Sequence, residues 1–478
     1  QRAMRLIAVL CLLVLGIAAE YKPDWSSLDG RPLPSWYDNA KFGIFCHWGV
    51  YSVPAFRSEW FWWYWQGSNP DKDVVKFVKD NYRPDWSYAD FAREFRAERL
   101  DAQQFKNVIE ASGAKYFVLT SKHHEGFTMW NSSEAWNWNA VNVGPKRDLV
   151  AELKAAFAES PVEFGLYFSL LDWFHPYYKQ NFSKYVDEVQ QRQLRDIVER
   201  FEPSVIWSDG DWGNSDAQWK SKEFLTWLYN ESPVKDKVVV NDRWGDDTAG
   251  KHGGFMTYSD HYDPGTILKR KWENCMTLDT HSWGHRKDMT SLDVHDVHSL
   301  IEQLARTVSC GGNLLLNVGP DQHGRIPPLF EDRLRELGSF LKPNGEALYG
   351  TTFAAVQNDT ANTWYTRRKL DDGSSTLYAW ILNTSGDTVV LEKIVPGAQT
   401  KLRLPALPNA KVAWKPTSKG GIVINLASLP WRKLPRADAV IVAIDGASQT
   451  NARKSASWRR DYYLWLGSQF KPRYGERV

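Results

Sequence analysis

The sequence predicts an α/β chain, a (β/α)8-like barrel followed by a C-terminal antiparallel β-sandwich, and three observations carry that expectation. From about residue 38 to 345, short apolar runs alternate with amphipathic helical patterns, as in a parallel sheet with helical crossovers. Polar residues gather where the apolar runs stop: His47, His123-His124, Tyr167, Asp209 and Asn241-Asp242-Arg243 all fall at or just past the C-terminal end of a strand candidate. That is the face on which such barrels present their chemistry. After residue 350 the helical pattern ends and short β-like runs recur between turns. An open doubly wound sheet would place ligands similarly, but no Gly-x-Gly-x-x-Gly turn follows the first strand.

In chain order, residues 43–46, 115–120, 163–168, 203–207, 237–241 and 313–318 read as strands. Residues 102–112, 149–158, 185–200, 294–308 and 329–341 read as helices. Beyond them, runs near 356 and at 364–366, 376–381, 388–391, 401–404, 411–414, 422–424 and 439–442 are separated by turns such as Asp371-Asp372-Gly373 and Gly420-Gly421. The length of 478 residues exceeds one compact core. The expected division is 1–19, 20–350 for the barrel, 351–446 for the sandwich, and an atypical tail at 447–478. In that tail Arg459, Arg460 and Lys471 alternate with Trp458, Trp465 and Phe470.

Residues 1–19 read as a secretory signal. Arg2 and Arg5 precede an apolar run at 6–17, and Ala18 and Ala19 offer a cleavage point before Glu20. The run falls short of the roughly 20 residues that span a bilayer. No second one occurs, so no membrane anchor is expected. Cleavage would remove Cys11 and leave Cys46, Cys275 and Cys310, enough for one disulfide at most. Glycosylation sequons at Asn131, Asn181, Asn230, Asn358 and Asn383 agree with a secretory route, to a lysosome or the extracellular fluid. A net charge of +2 gives no reason to expect a nucleic-acid partner.

The stretch Trp207-Ser208-Asp209-Gly210-Asp211-Trp212 concentrates the chemistry: a buried strand delivers a carboxylate to its end, and Gly210 turns the backbone away at once. A plain loop or helix cap would use an aspartate in the same place. The surrounding strand ends add carboxylates (Glu59, Asp211, Glu273), imidazoles (His47, His123, His124), Arg243 and many of the 25 tryptophans. Metal binding is disfavoured, because adjacent His123 and His124 diverge and no Cys-x-x-Cys or His-x-x-x-His spacing accompanies them. Serine acyl transfer lacks its Gly-x-Ser-x-Gly elbow. Charged groups for hydroxyls and indole faces for a ring suit a polyhydroxylated ligand, with no cofactor required.

Lys41-Phe42-Gly43-Ile44-Phe45-Cys46-His47-Trp48-Gly49, Ser58-Glu59-Trp60, Ser121-Lys122-His123-His124-Glu125-Gly126-Phe127, Gly165-Leu166-Tyr167, Trp207-Ser208-Asp209-Gly210, Asn241-Asp242-Arg243-Trp244-Gly245 and Lys271-Trp272-Glu273 occur in that order. Together they resemble the α-L-fucosidases of glycoside hydrolase family 29, most closely the lysosomal and secreted animal type. The resemblance implies a retaining exo-glycosidase that removes terminal α-L-fucose from glycoproteins, glycolipids and oligosaccharides. It implies Asp209 as nucleophile and Glu273 as acid/base, with His47, Glu59, Trp60, His123, His124, Tyr167, Trp207, Arg243 and Trp283 lining the fucose pocket. The acid/base does not sit in one fixed motif across the family, so Asp211 and Glu59 are the other carboxylates available. The resemblance also implies a homotetramer. The competing reading is a fucose-binding lectin-like protein without turnover, and retention of both Asp209 and Glu273 argues against it. Cys46 stands where an aliphatic residue is expected and fills a similar volume.

Overall fold

The computed structural model describes residues 20–360 and 362–450; the expected signal at 1–19, with Cys11, and the basic-aromatic residues 451–478 lie outside them. Seven short strands form one parallel sheet: β1 Phe42–Cys46, β2 Tyr116–Lys122, β3 Glu163–Ser169, β4 Val205–Asp209, β5 Val239–Val240, β6 Glu273–Thr277 and β7 Asn313–Val318. Their order is β5-β4-β3-β2-β1-β7-β6. Nearly every strand residue is buried, as expected where helices cover one face of a parallel sheet and a core fills the other. Crossover helices include Ala102–Ala111, Leu149–Ala156, Gln191–Phe201, Ser221–Asn230 and Val297–Ser309. Asp101, Asp148 and Asp296 start three of them by accepting first-turn amide protons.

The ring closes between β5 and β6 without an eighth full strand. Phe255 N donates to Val240 O at 3.0 Å, Met256 N to Lys271 O at 2.8 Å, and Glu273 N to Met256 O at 2.9 Å. This leaves a single parallel bridge between Met256 and Trp272 in place of the eighth strand. The cause lies in Asp242, whose carboxylate accepts from the amides of Gly250, Thr257 and Tyr258 and so folds residues 250–258 into a loop. Inside the ring, Phe45, Tyr116, Val118, Tyr167, Val205, Trp207, Val239, Cys275 and Leu315 pack together. They are alternate residues of their strands, as a filled barrel requires.

The second region has a five-stranded antiparallel sheet, ordered β12-β15-β10-β9-β8, and a three-stranded one, ordered β11-β14-β13. Its strands are β8 Thr352–Asp359, β9 Thr363–Lys369, β10 Ser375–Ile381, β11 Thr388–Leu391, β12 Ile394–Arg403, β13 Trp414–Pro416, β14 Ile422–Asn425 and β15 Val440–Gln449. Strand β10 divides its side chains by the two-residue period of a strand. Leu377, Ala379 and Ile381 join Val389, Leu391, Ile422 and Ile424 between the sheets, whereas Tyr378 and Trp380 join the barrel-side core. The sheet is therefore apolar on both faces. Several expectations shift: the strand at 237–241 contracts to Val239–Val240, β6 forms where no strand was expected, the run at 401–404 begins at Ile394, that at 411–414 becomes β13 at Trp414–Pro416, and β15 continues through Gln449, past the expected tail start at 447.

All three described cysteines are buried and free, so the one possible disulfide does not form. Among the described residues no helix is long and apolar enough to cross a membrane. Asn131, Asn181 and Asn383 are exposed and Asn358 is half-buried. Asn230 instead closes a reciprocal amide pair with the backbone of Tyr21, at 2.9 and 2.8 Å.

The helix Pro328–Asn344 lies so close to Ala102–Ala111 that a Cβ on Gly338 would stand 1.7 Å from the carbonyl oxygen of Ala111. Alanine is ordinarily favoured over glycine inside a helix by up to about 1 kcal/mol. Gly338→Ala is expected to reverse that sign and destabilise by roughly 1–3 kcal/mol through overpacking. A lowered thermal midpoint checks it; an unchanged or raised midpoint would contradict the close approach.

Candidate active site

Asp209 is the last residue of β4, and the next residue, Gly210, has φ 69°. A Cβ at Gly210 would lie 2.8 Å from Leu171 Cγ and from Ser169 Oγ, so the turn that frees the carboxylate has room for glycine alone. Two donors fix the carboxylate: Tyr167 Oη donates to Oδ2 at 2.8 Å and Arg243 Nη1 to Oδ1 at 2.9 Å. His124 Nε2 stands 3.8 Å from Oδ2. Burial, then the Asp209 charge, pushes the Tyr167 phenol well above its ordinary range, so it acts as a donor.

The three residues after β5 divide the work of aiming these groups. Asn241 Oδ1 accepts from Ser208 N and Oγ while its Nδ2 donates to Ser208 O, which locks the end of β4 against β5. Asp242 shapes the following loop, as described above. Arg243 reaches over the mouth with its Nε on Thr257 Oγ1 at 3.2 Å, one terminal nitrogen on Asp209 and the other on Asp260 Oδ1 at 2.5 Å. Its guanidinium lies 4.6 Å above the Trp207 ring.

His47, immediately after β1, offers Nδ1 to Asn317 Oδ1 at 2.8 Å, and Asn317 is oriented by its own donation to Trp283 O. The amide oxygen only accepts, so the proton resides on Nδ1 and Nε2 is left as an acceptor. Burial, reinforced by His123, pulls the His47 pKa down to about 3, which keeps the ring neutral. Burial likewise holds His124 well below its usual value, with Nδ1 bonded to Ser169 Oγ at 2.7 Å. His123 stacks on Tyr167 at 5.7 Å and lies 5.8 Å from His47. Glu59 accepts from the amides of Trp283 and Gly284 at 3.0 and 3.1 Å, and burial raises its pKa. This bond seats Trp283 5.2 Å from His47. Trp60 lies 5.1 Å from His124. The imidazoles, Arg243, Tyr167, Glu59, Trp60 and Trp283 thus form one connected cluster around Asp209 at the C-terminal end of the strands.

Glu273 is not at that mouth. It opens β6 rather than ending it, and it is fully buried. Its Oε2 accepts from Tyr37 Oη at 2.6 Å and Tyr116 Oη at 2.7 Å, and its Oε1 from Trp207 Nε1 at 2.9 Å. Burial pushes its carboxyl above the usual range against the pull of these donors. An acid/base must meet the leaving oxygen, and this carboxylate faces the floor of the barrel beneath Trp207. Asp211 turns its Oδ2 to the Gly245 amide at 3.3 Å, and burial raises its pKa to about 7.

Asp260 is the mouth carboxylate that the sequence reading passed over. Its side chain is 34% exposed, and it shares the Arg243 fork with Asp209. Burial would raise its pKa, but the Arg243 guanidinium outweighs burial and holds it below the usual carboxylate value. It follows no strand, so the strand-end signal that marked Asp209 is missing; left-handed backbones at Tyr258 (φ 58°) and His261 (φ 55°) flank it instead. Among the described residues no cluster of metal-ligating side chains occurs.

A profile of the α-L-fucosidase family matches residues 14–346. A putative α-L-fucosidase of Caenorhabditis elegans is 52% identical over 465 residues, covering 92% of this chain and 96% of that protein. Human plasma α-L-fucosidase is 47% identical over 431 residues, covering 87% and 91%. The crystal structure of Thermotoga maritima α-fucosidase, 31% identical, superposes with a TM-score of 0.74 over 88% of this chain and 99% of that one. With a matching profile and close relatives along nearly its whole length, the chain belongs to the α-L-fucosidase family of glycoside hydrolases.

Proposed function

We propose that the protein is a retaining exo-α-L-fucosidase in which Asp209 is the nucleophile and Asp260 the acid/base. The observation that carries this assignment is the single guanidinium of Arg243 holding both carboxylates at the open mouth. Two carboxylates on one fork lie within a few ångströms of each other, as a double-displacement pair must. In the first step an Asp209 oxygen bonds to the anomeric carbon while the bond to the leaving oxygen breaks, and Asp260 gives that oxygen its proton. In the second step Asp260 takes a proton from water, the water oxygen bonds to the anomeric carbon, and the ester to Asp209 breaks. In the free protein Arg243 keeps Asp260 ionised. A sugar covering its exposed edge removes water and moves the pKa upward, toward the protonated form the first step needs.

Neutral His47 supplies an acceptor nitrogen for a sugar hydroxyl, and Trp60 and Trp283 supply apolar surface. Glu273 acts from below: it anchors the indole on which Arg243 rests. A complex of the Thermotoga enzyme with a mechanism-based inhibitor favours turnover in this family over binding alone. The relatives named plasma and tissue α-L-fucosidase support a secretory route, with the lysosome or extracellular fluid as destination.

Asp209→Gly is expected to lower kcat at least about 10³-fold on 4-nitrophenyl α-L-fucoside. Added azide should restore part of the turnover and yield the β-fucosyl azide; near-normal activity without azide would remove Asp209 from the reaction.

Asp211 is the rival acid, because its pKa of about 7 suits a proton donor. A leaving-group series separates the candidates. Asp260→Asn should lose about 10²–10⁴-fold on a glycosyl fucoside, the range of general acid catalysis, and far less on the 2,4-dinitrophenyl fucoside. Glu273→Gln, which keeps an acceptor for Trp207, should change all leaving groups by a similar small factor. A steep leaving-group dependence in Glu273→Gln would return the acid/base role to Glu273.

The pH profile gives an independent check. The acid must be protonated, so wild-type kcat/KM on a poor leaving group falls as pH rises. With Asp260 as the acid, held low by Arg243, the fall is complete below neutrality and disappears in Asp260→Asn. A fall centred near pH 7 that survives in this variant and vanishes in Asp211→Asn would assign the proton to Asp211.

A further inference from the structure

Beside the mouth, aromatic side chains continue well past what a single fucose ring could cover. Besides Trp60, two further tryptophan rings touch His124, the imidazole next to Asp209: Trp212 at 5.3 Å, from the loop after β4, and Trp173 at 5.4 Å, from the loop after β3. From Trp173 the surface spreads to Trp63 at 5.4 Å and Trp62 at 5.3 Å, both on the short helix Phe61–Gln66. It reaches Phe174, 5.0 Å from Trp62 and backed by Trp138 at 5.3 Å and Tyr88 at 5.5 Å. Trp62, Trp63 and Trp212 are half-buried, and Phe174 is 37% exposed.

Trp62 and Trp212 pack in part against the barrel core and Trp173 is buried, so the water-facing part of the surface is made by the outer faces of Trp62, Trp63, Trp212 and Phe174. Apolar rings left in water are unfavourable, and a contiguous group of them marks a place where something else binds. The supporting backbone is also fixed. Trp173 N donates to His124 O at 2.9 Å, and buried Asp172 accepts from the amides of Phe174 and His175 at 3.1 and 2.9 Å. A rigid aromatic face loses little entropy on binding.

We infer that this surface binds the leaving-group glycan: a neutral oligosaccharide whose first and second pyranose rings, counted outward from the fucose, stack on it. The inference rests on the fucosidase reading and extends it to the part of the substrate beyond the scissile bond. An exo-acting pocket encloses the terminal sugar, so the remainder must emerge at the rim. The aromatic face is continuous with that rim through His124. The rings themselves carry no charge, and the ammonium of Lys179, 5.7 Å from the Trp62 ring, offers a donor to sugar hydroxyls, which together fit uncharged pyranoses. Binding outside the reacting ring can be expressed as a lower KM for glycan substrates.

The test compares α-L-fucosyl fluoride, which has almost no leaving group to bind, with a neutral fucosylated trisaccharide and a neutral fucosylated pentasaccharide. Phe174→Ala and Trp63→Ala should keep the wild-type rate on the fluoride within about twofold, while KM for the oligosaccharides rises about tenfold with kcat nearly unchanged, as when uniform binding is removed. Trp63→Tyr, which retains an aromatic face, should recover most of the loss. Equal loss on fluoride and oligosaccharide would make the surface a structural support. Unchanged KM on both oligosaccharides would also overturn the proposal. Failure of the wild-type protein to turn over the fluoride would refute the fucosidase reading itself and is distinct from either result.

Discussion

The site depends on a buried cation that cannot be left unpaired. Arg243 is nearly covered, and its guanidinium satisfies its charge on Asp209 and Asp260 while resting on the Trp207 indole. Removing such a charge from water is costly unless good geometry and hydrogen bonds compensate. Here the compensation itself sets the spacing of the two mouth carboxylates. The planar fork makes this arrangement specific to arginine; a lysine would offer one point charge and no fixed separation.

Below Arg243 the order is inherited from the barrel floor. Glu273 accepts from Tyr37, Tyr116 and Trp207, so a fully buried carboxylate is satisfied by three neutral donors and in turn holds the indole still. Trp207 and Asp209 lie two residues apart on β4, so both point into the barrel, one a layer above the other. The floor and the mouth are therefore coupled by strand geometry. At the rim, burial keeps His47 and His124 uncharged, which avoids adding positive charge next to Arg243 and leaves ring nitrogens available to hydroxyls.

Much of the fold was legible in the sequence because parallel strands and crossover helices impose strong periodicities. The strand ends carrying His47, His123, Tyr167, Asp209 and Arg243 could be read for the same reason, since each polar residue interrupts an apolar run at a definite point. The eighth stave could not be read. Its backbone is shaped by Asp242 gathering the amides of Gly250, Thr257 and Tyr258, a contact that no local pattern encodes. Asp260 was missed on the same loop.

What the sequence by itself determined was the alternation of elements, the placement of Asp209 after a buried strand with glycine behind it, and the run of motifs that marks the family. These are local properties, written in residue order and period. The tertiary structure alone decided which carboxylates share a space. Glu273 and Asp209 are both flanked by strand residues and tryptophans in the sequence, yet one begins its strand and the other ends it. In a parallel barrel that difference separates floor from mouth. Asp260 reaches the mouth by folding of a loop, through a guanidinium 17 residues away, and only packing in three dimensions could bring them together.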